Sequence, residues 1–249
     1  MDEPRRVDAA GDDGLQVLWD DGERIFRRGW RLDGDGARFA ALSALLTAER
    51  PSAAAVDRLA HEFGLREELE STWAARPLEL TSEGARPVLF LEDPGGESLE
   101  RLIGDPMETG RFLRLGIGMV AALDKAHGRG LVHKDIKPAN ILVNCADGRT
   151  RLTGFGIASR LLRERQAPEP PEFIAGTLAY MAPEQTGRMN RSIDSRSDLY
   201  ALGVTLYHML TGRLPFSATE PMEWVHCHIA RRPAPPAERL APRRARQSE

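Results

Sequence analysis

The first part of the chain alternates short apolar runs with Asp-Gly pairs, after a polar leader. Residues 1–14 mix acidic residues, Gly and Ala without an apolar period, which predicts a disordered leader. Between Leu15 and Leu42 the apolar runs are broken at Asp-Gly pairs, a pattern typical of antiparallel strands joined by tight turns. The predicted strands are 15–19, 24–31 and 37–42.

A helical period follows. Val56, Leu59 and Phe63 recur at helical spacing, and Pro51-Ser52 ahead of them is a good helix start. This pattern predicts an amphipathic helix over 53–70.

Two more strands are predicted near 76–81 and 87–92, before a sharp stop at 93–96, where the sequence reads Asp-Pro-Gly-Gly. Five strands around one helix indicate a small α+β lobe over 15–93, with a joint to a second lobe at its end.

The rest of the chain is mostly helical. Leu115, Met119 and Leu123 line one face of a helix that starts near Gly110, and Gly128 follows at its end. Two further helices are predicted, at 199–210 and near 221–230. The first of these is almost wholly apolar, which predicts a helix buried in the core of a lobe over 94–230.

The last segment, residues 231–249, is rich in Pro and Arg and has no apolar face to bury. Its arginines could form a basic patch for phosphates, but composition favours a disordered tail or a truncation.

Composition narrows the class of protein. The 249 residues are 41% apolar and 29% charged, an ordinary globular balance. A net charge of −3 gives no reason to expect nucleic acid as a partner, and no apolar run is long enough to span a membrane. Two cysteines fit a reducing compartment, so we expect a cytoplasmic protein.

The segment HKDIKPAN, residues 133–140, carries the chemistry. Phosphoryl transfer requires a carboxylate to orient the acceptor hydroxyl, a cation near the phosphates and oxygen ligands for Mg²⁺. Asp135, Lys137 and Asn140 supply these three residue types within one loop. The alternative, a polar loop whose charges only satisfy each other, explains the Pro and Asn spacing less well.

This segment resembles the catalytic loop of protein kinases. Downstream, AGTLAYMAPEQ (175–185) resembles the substrate-docking segment of Ser/Thr kinases, and SDLYALGVTLYHMLTGRLPF (197–216) resembles their central buried helix. The resemblance implies an α+β, bilobal protein-kinase-like fold with a β-rich N-lobe and a mostly helical C-lobe. The family's last two helices have no counterpart, so we expect a truncated C-lobe with exposed apolar surface.

The resemblance also implies roles for single residues. Thr177 would bond Asp135 and Lys137, Glu184 would anchor the docking segment, and Asp198 would hold the backbone of the catalytic loop. ATP and Mg²⁺ would be the cofactors. The residues implied to bind the nucleotide are Glu92, Asn140 and Leu142, with Asn140 also binding the metal.

More narrowly, LTGFGIASRL (152–161) and EQTGRMNRSIDSRSDLYALG (184–203) resemble the N-terminal kinase-like domain of large multi-domain bacterial sensors, which precedes an ATPase module and a histidine kinase. The resemblance implies a protein substrate or regulatory partner, and downstream modules of a longer sensor protein as partners.

Several family residues are missing. Gly154 stands where kinases have the Mg²⁺-binding aspartate, and glycine offers no side-chain oxygen. The first hairpin has one glycine, Gly22, where the family has three, and the third strand has no lysine. Glu62 is then either a partner carboxylate without its lysine or a solvated helix charge. Pro94 aligns where the family's backbone N–H donates to adenine, and proline has no such donor.

Two other features carry less weight. His226, Cys227 and His228 resemble a metal site only superficially, because adjacent helical positions point in different directions. Cys145 is predicted to be a buried apolar filler.

Three functions remain open. The first is a catalytically impaired kinase-fold domain, a pseudokinase that regulates or scaffolds a sensor protein. The second is an active Ser/Thr protein kinase, favoured by the retained catalytic loop. The third is a pure interaction domain whose adenine pocket is filled by Phe39, Leu42 or Phe155.

Overall fold

The computed structural model describes residues 16–32, 34–84, 86–160 and 178–240. The predicted leader at 1–14 lies outside the described residues.

The N-terminal lobe is built on a five-stranded antiparallel sheet with the strand order β1-β2-β3-β5-β4. The strands are β1 (Gln16–Asp20), β2 (Arg24–Leu32), β3 (Arg38–Leu46), β4 (Pro77–Glu83) and β5 (Arg86–Glu92). All five predicted strands are confirmed, although β3 runs four residues past its predicted end at 42.

The turn between β1 and β2 is set by Asp20, Asp21 and Gly22. The Asp20 carboxylate accepts from the Gly22 amide at 2.8 Å, and the Asp21 carboxylate accepts from the amides of Glu23 at 3.0 Å and Arg24 at 2.7 Å. Gly22 has a φ of +89°, a conformation that favours glycine. This turn directs the start of β2 toward the second lobe.

One helix packs on this sheet. Helix α1 (Ala53–Gly64) is capped by Ser52, whose hydroxyl accepts from the Ala55 amide at 3.2 Å. Its buried face joins the core of the lobe. The helix ends six residues before the predicted 70, because the Leu65 amide bonds back to the Glu62 carbonyl and the chain continues through turns.

The C-terminal lobe begins with β6 (Glu97–Ser98) and then helix α2 (Thr109–Gly128), which confirms the predicted helix. Four strands of two or three residues follow α2: β7 (Leu131–Val132), β8 (Ile141–Val143), β9 (Thr150–Leu152) and β10 (Ser159–Arg160). They form one sheet of β6, β8 and β9 and one of β7 and β10. Their pairing frames the loop at 133–140.

Helix α3 (Ser195–Thr211) is the central helix of this lobe. Asp194 caps its start by accepting from the Arg196 amide at 2.9 Å, and Gly212, with a φ of +67°, ends it. Buried side chains of α2 and α3 meet in one apolar cluster with Phe155 and Trp73. The prediction of a buried core helix is confirmed.

The remaining helices are α4 (Pro221–Ala230) and α5 (Pro236–Leu240). Helix α5 lies inside the range predicted to be a disordered tail, so that prediction needs correction at 236–240. The Tyr207 hydroxyl donates to the Ala234 carbonyl at 2.8 Å, which ties this segment to α3. Residues 241–249 lie outside the described residues.

Apolar side chains are exposed on the outer face of α2, as expected for the C-lobe. Leu113, Ile117 and Val120 share its outer face and are 53%, 70% and 51% exposed. Cys145, by contrast, was predicted to be buried and is exposed, because the turn after β8 carries it away from the core. None of the helices in the described ranges is long and apolar enough to cross a membrane.

Candidate active site

The loop between β7 and β8 brings the predicted catalytic residues together. Lys137 Nζ lies 3.1 Å from Asp135 Oδ2, and Asn140 Nδ2 donates to the same Asp135 oxygen at 2.7 Å and to the Asp135 carbonyl at 2.8 Å. Pro138 starts a single 3₁₀ turn that buries the Asn140 side chain completely. Asp135, Lys137 and Asn140 thus form one hydrogen-bonded group.

Asp198 of α3 stabilises the start of the loop at 133–140. Its two carboxylate oxygens accept from the backbone amides of His133 at 2.8 Å and Lys134 at 2.7 Å, and His127 Nε2 lies 2.9 Å away. Lys134 has a φ of +68°, which costs free energy for a residue with a side chain. Asp198 stabilises this backbone, the role that the resemblance implied.

Glu184 lies in a short turn beside the start of α3. The hydroxyl of Ser197 donates to Glu184 Oε1 at 2.5 Å. The neighbouring Gln185 donates to the Lys134 carbonyl at 2.7 Å and so joins the docking segment to the catalytic loop. Thr177, which was predicted to bond Asp135 and Lys137, lies outside the described residues, and its role stays a prediction.

Gly154 occupies a place that leaves no room for a side chain. It has a φ of +81°, and a Cβ built on it would lie 2.5 Å from Asn140 Oδ1. Its amide donates to Glu62 Oε1 at 2.9 Å. Glu62 is only 1% exposed, so the interpretation of Glu62 as a solvated helix charge is wrong.

Arg24, at the start of β2, is a site residue that the sequence analysis missed. Its Nη2 donates to Asp21 Oδ2 at 2.6 Å and to Asn140 Oδ1 at 3.0 Å, and its Nη1 lies 3.5 Å from Glu62 Oε2. The side chain is 9% exposed. Arg24 and Phe26 share the inward face of β2, so strand periodicity contains the signal.

Charge pairing offsets the cost of burying these groups. Burial alone would raise the pKa of Asp21, but Arg24 and Lys137 outweigh it and hold the pKa of that carboxyl below its usual value. Burial alone would lower the pKa of Arg24, but Asp21 and Glu62 outweigh it and raise that pKa above its ordinary value. Arg24 and Asp21 are therefore both charged near neutral pH.

Mg²⁺ does not fit this arrangement. The Asn140 amide oxygen, the ligand that the resemblance implied for the metal, already accepts from Arg24. Gly154 supplies no side-chain oxygen, and its closeness to Asn140 leaves no space for a side chain at residue 154. A hard divalent cation binds several oxygens. An oxygen that already accepts a hydrogen bond from a guanidinium is not available to it.

The residues implied to bind adenine are engaged with other parts of the protein. Leu142 is 3% exposed and belongs to the apolar cluster that also contains Leu42 and Phe26. Phe26 stacks on Trp19 with ring centroids 4.2 Å apart, at the hairpin where the family has its glycine-rich loop. Apolar side chains thus cover the side of Leu142 that faces the N-lobe cluster.

The joint between the lobes is also fixed by side chains. The Glu92 carboxylate accepts from Arg76 at 2.6 Å and from the Ser71 hydroxyl, and the Glu92 amide donates to the Arg76 carbonyl at 2.8 Å. Arg28 of β2 pairs with Asp93. The nucleotide-binding roles of Glu92 and Leu142 stay predictions.

Of the three residues named for the adenine pocket, Leu42 lies in the cluster with Leu142. Phe155 instead packs against Trp73 and His133 and belongs to the apolar cluster that contains the buried side chains of α2 and α3. Phe39 is only partly buried, on β3. At the far end of the C-lobe, Cys227 and His228 are buried and His226 is exposed, so these three side chains do not converge.

Comparison with known proteins shows which family this chain resembles. The protein kinase domain family matches residues 37–244. The serine/threonine-protein kinase Pkn1 of Myxococcus xanthus is 39% identical over 156 residues, which is 61% of this chain and 22% of that protein. The serine/threonine-protein kinase PknB of Mycobacterium leprae (strain TN) is 33% identical over 161 residues, 64% of this chain and 25% of that protein.

A third relative, the serine/threonine-protein kinase pkn3 of Myxococcus xanthus, is 35% identical over 158 residues, 61% of this chain and 28% of that protein. The chain spans about a quarter of the length of these curated relatives.

Proposed function

The chain belongs to the protein kinase family, and from that premise we propose that it is a Ser/Thr-type kinase domain with impaired phosphoryl transfer from MgATP. Its proposed role is regulatory: the fold binds a protein partner in a signalling pathway. Protein kinases as a family use ATP and Mg²⁺ and act on protein substrates.

The surroundings of Gly154 carry this proposal. Kinases place a metal-binding aspartate here, and the metal neutralises charge that develops on the phosphates. In this chain a Cβ at residue 154 would lie 2.5 Å from Asn140 Oδ1 and 2.6 Å from its Cγ. The surrounding structure has therefore closed around glycine, which supports a site adapted to the absence of the carboxylate.

The packing around Leu142 and Glu92, the residues implied to bind the nucleotide base, supports the same proposal. Leu142 is covered within a cluster that includes Phe26 and Leu42, and Glu92 is held by Arg76 and Ser71. A nucleotide base would have to displace apolar side chains from a packed core, which costs free energy.

An active kinase is the second candidate, and the catalytic loop favours it. Asp135 and Lys137 lie 3.1 Å apart, and Asp198 holds the backbone next to them. A carboxylate held this way could orient a substrate hydroxyl. The three relatives named above are themselves called serine/threonine-protein kinases.

Transfer of radiolabelled phosphate from ATP separates the two candidates. The purified chain is incubated with a generic Ser/Thr substrate protein and Mg²⁺, beside an Asp135→Ala variant. We expect incorporation by the wild type to equal that of the variant. Incorporation that is clear in the wild type and absent from Asp135→Ala would establish an active kinase.

The proposed partners follow from the resemblance to multi-domain sensors. There a kinase-like domain precedes an ATPase module and a histidine kinase, so we propose that such modules of a longer signalling protein are what this domain regulates.

A further inference from the structure

Three oxygen-bearing side chains from different parts of the fold converge on the guanidinium of Arg24. Asp21 comes from the first turn, Glu62 from α1 and Asn140 from the catalytic loop of the other lobe. Their oxygens lie 2.6 Å, 3.5 Å and 3.0 Å from the terminal nitrogens of Arg24. Two carboxylates and an amide oxygen, here gathered around one guanidinium, are the ligand types that bind a hard divalent cation.

We infer that Arg24 is a resident cation that takes the place of a divalent ion between the two lobes, so that this site excludes Mg²⁺ as long as Arg24 is present. The inference deepens the proposed function, on which it rests. Its test measures metal binding rather than catalysis.

Geometry and charge both oppose a metal beside Arg24. The guanidinium fills the space that faces Asn140 Oδ1, and its side chain is 9% exposed, so little water is available to screen a second cation. Two positive charges a few ångströms apart in a buried site repel each other strongly. The buried oxygens of Asp21 and Glu62 already have a counter-charge.

Glu62 and Asn140 have a structural role that requires no metal. Glu62 receives the Gly154 amide at 2.9 Å through one oxygen and faces Arg24 with the other. Asn140 accepts from Arg24 and donates to Asp135. The hydrogen-bonded chain therefore runs from β2 through Asn140 to the catalytic loop, and it joins the lobes.

If Arg24 holds the position of a cation, its removal should leave Asp21, Glu62 and Asn140 as an open divalent site. The Arg24→Gln variant removes the charge, whereas Arg24→Lys keeps it. Arg28→Gln serves as the matched control, because Arg28 is on the same strand but pairs with Asp93 at the interlobe joint.

The experiment titrates each protein with Mn²⁺ and follows the electron paramagnetic resonance signal of free Mn²⁺, with circular dichroism to check folding. We expect no saturable binding by the wild type, Arg24→Lys or Arg28→Gln. Folded Arg24→Gln should bind one Mn²⁺ at least about tenfold more tightly than the wild type, because one buried repulsive charge is gone.

Saturable Mn²⁺ binding by the wild type or by Arg24→Lys would overturn the inference, as would a folded Arg24→Gln that binds no better than the wild type. If Arg24→Gln does not fold, the titrations of the wild type and of Arg24→Lys decide. A wild type that neither binds Mn²⁺ nor transfers phosphate agrees with both proposals. A wild type that binds Mn²⁺ but transfers no phosphate refutes only this inference.

Discussion

Gly154 and Asn140 approach each other so closely that a Cβ on Gly154 would lie 2.5 Å from Asn140 Oδ1. Asn140 cannot easily move away, because its amide oxygen accepts from Arg24 and its amide nitrogen donates twice to Asp135. Any side chain at residue 154 must therefore break part of this hydrogen-bonded group.

We predict that Gly154→Ala destabilises the protein more than Gly187→Ala. Both glycines have a positive φ, +81° and +69°, but a Cβ at Gly187 would meet nothing within 4 Å. Backbone strain alone should cost about 1–2 kcal/mol at each position. Overpacking against Asn140 should add about 1–3 kcal/mol at Gly154.

Urea unfolding of the two variants measures the difference in free energy. Equal losses at both positions would show that Asn140 moves aside with no cost in free energy.

Gly154→Asp restores the aspartate that the family has at this position. Because its side chain would also collide with Asn140, we expect it to destabilise the chain without creating kinase activity.

Arg24→Gln should lower the free energy of unfolding by about 3–5 kcal/mol, because buried Glu62 loses its ion-pair partner and buried Asp21 keeps only Lys137 as a nearby positive charge. Asp21 and Glu62 are 2% and 1% exposed at the side chain. A double variant, Arg24→Gln with Glu62→Gln, should recover part of the loss, because the second change removes one of the stranded charges.

The matched control for this prediction is Arg27→Gln on the same strand. Arg27 pairs with Glu83, whose side chain is 44% exposed, so we expect a loss below about 1 kcal/mol. Chemical denaturation at neutral pH measures all three variants. A loss in Arg24→Gln no larger than in Arg27→Gln would show that the buried cluster is not held by charge.

The regular elements could be predicted from the sequence because their periods are long enough to detect. The strands up to β5 and the helices α2 and α3 were found within a few residues. Helix α1 was predicted too long, because nothing in its period marks the turn at Leu65. Strands β6 to β10 have at most three residues each, too few to show alternation.

The candidate site could be predicted only where residues are close in sequence. Asp135, Lys137 and Asn140 belong to one loop, and Asp198 was placed by resemblance. Arg24 was missed because a charged residue in a strand is ordinarily taken as solvent-facing, and its burial depends on Asn140, which is distant in sequence. The burial of Glu62 could not be inferred for the same reason.

Asp198→Ala should release the catalytic loop. Two buried amides, those of His133 and Lys134, would lose their acceptor, and each unsatisfied group costs about 1–3 kcal/mol. Lys134 would also lose what holds its left-handed backbone. Hydrogen exchange should show much faster exchange at these two amides than in the wild type.

The control for Asp198 is Asp194→Ala at the start of the same helix. Asp194 caps α3 and pairs with Arg196 at the surface, so its loss should cost about 1 kcal/mol and leave exchange at His133 and Lys134 unchanged. Protection that persists in Asp198→Ala would contradict the role given to this carboxylate.

Acidification should weaken the C-terminal lobe through His228. The ring contacts Tyr200, Phe216 and Trp224, its Nε2 lies 2.8 Å from the Leu178 carbonyl, and its Nδ1 lies 2.8 Å from the Tyr200 hydroxyl. Burial lowers the pKa of His228 below its ordinary value of 6.5, although the bond to Leu178 opposes the shift.

A histidine with a lowered pKa binds its proton more weakly in the folded state than in the unfolded state, so its contribution to stability is complete above pH 6.5 and is lost as the pH falls below that value. Urea midpoints measured from pH 8 to pH 5.5 should therefore decrease, and His228→Gln should flatten the decrease. His226→Gln, on the exposed side of α4, is the control and should keep the wild-type slope. Because burial also lowers the pKa of His208, some slope should remain in His228→Gln; an unchanged slope would show that His228 is not the group that must be neutral.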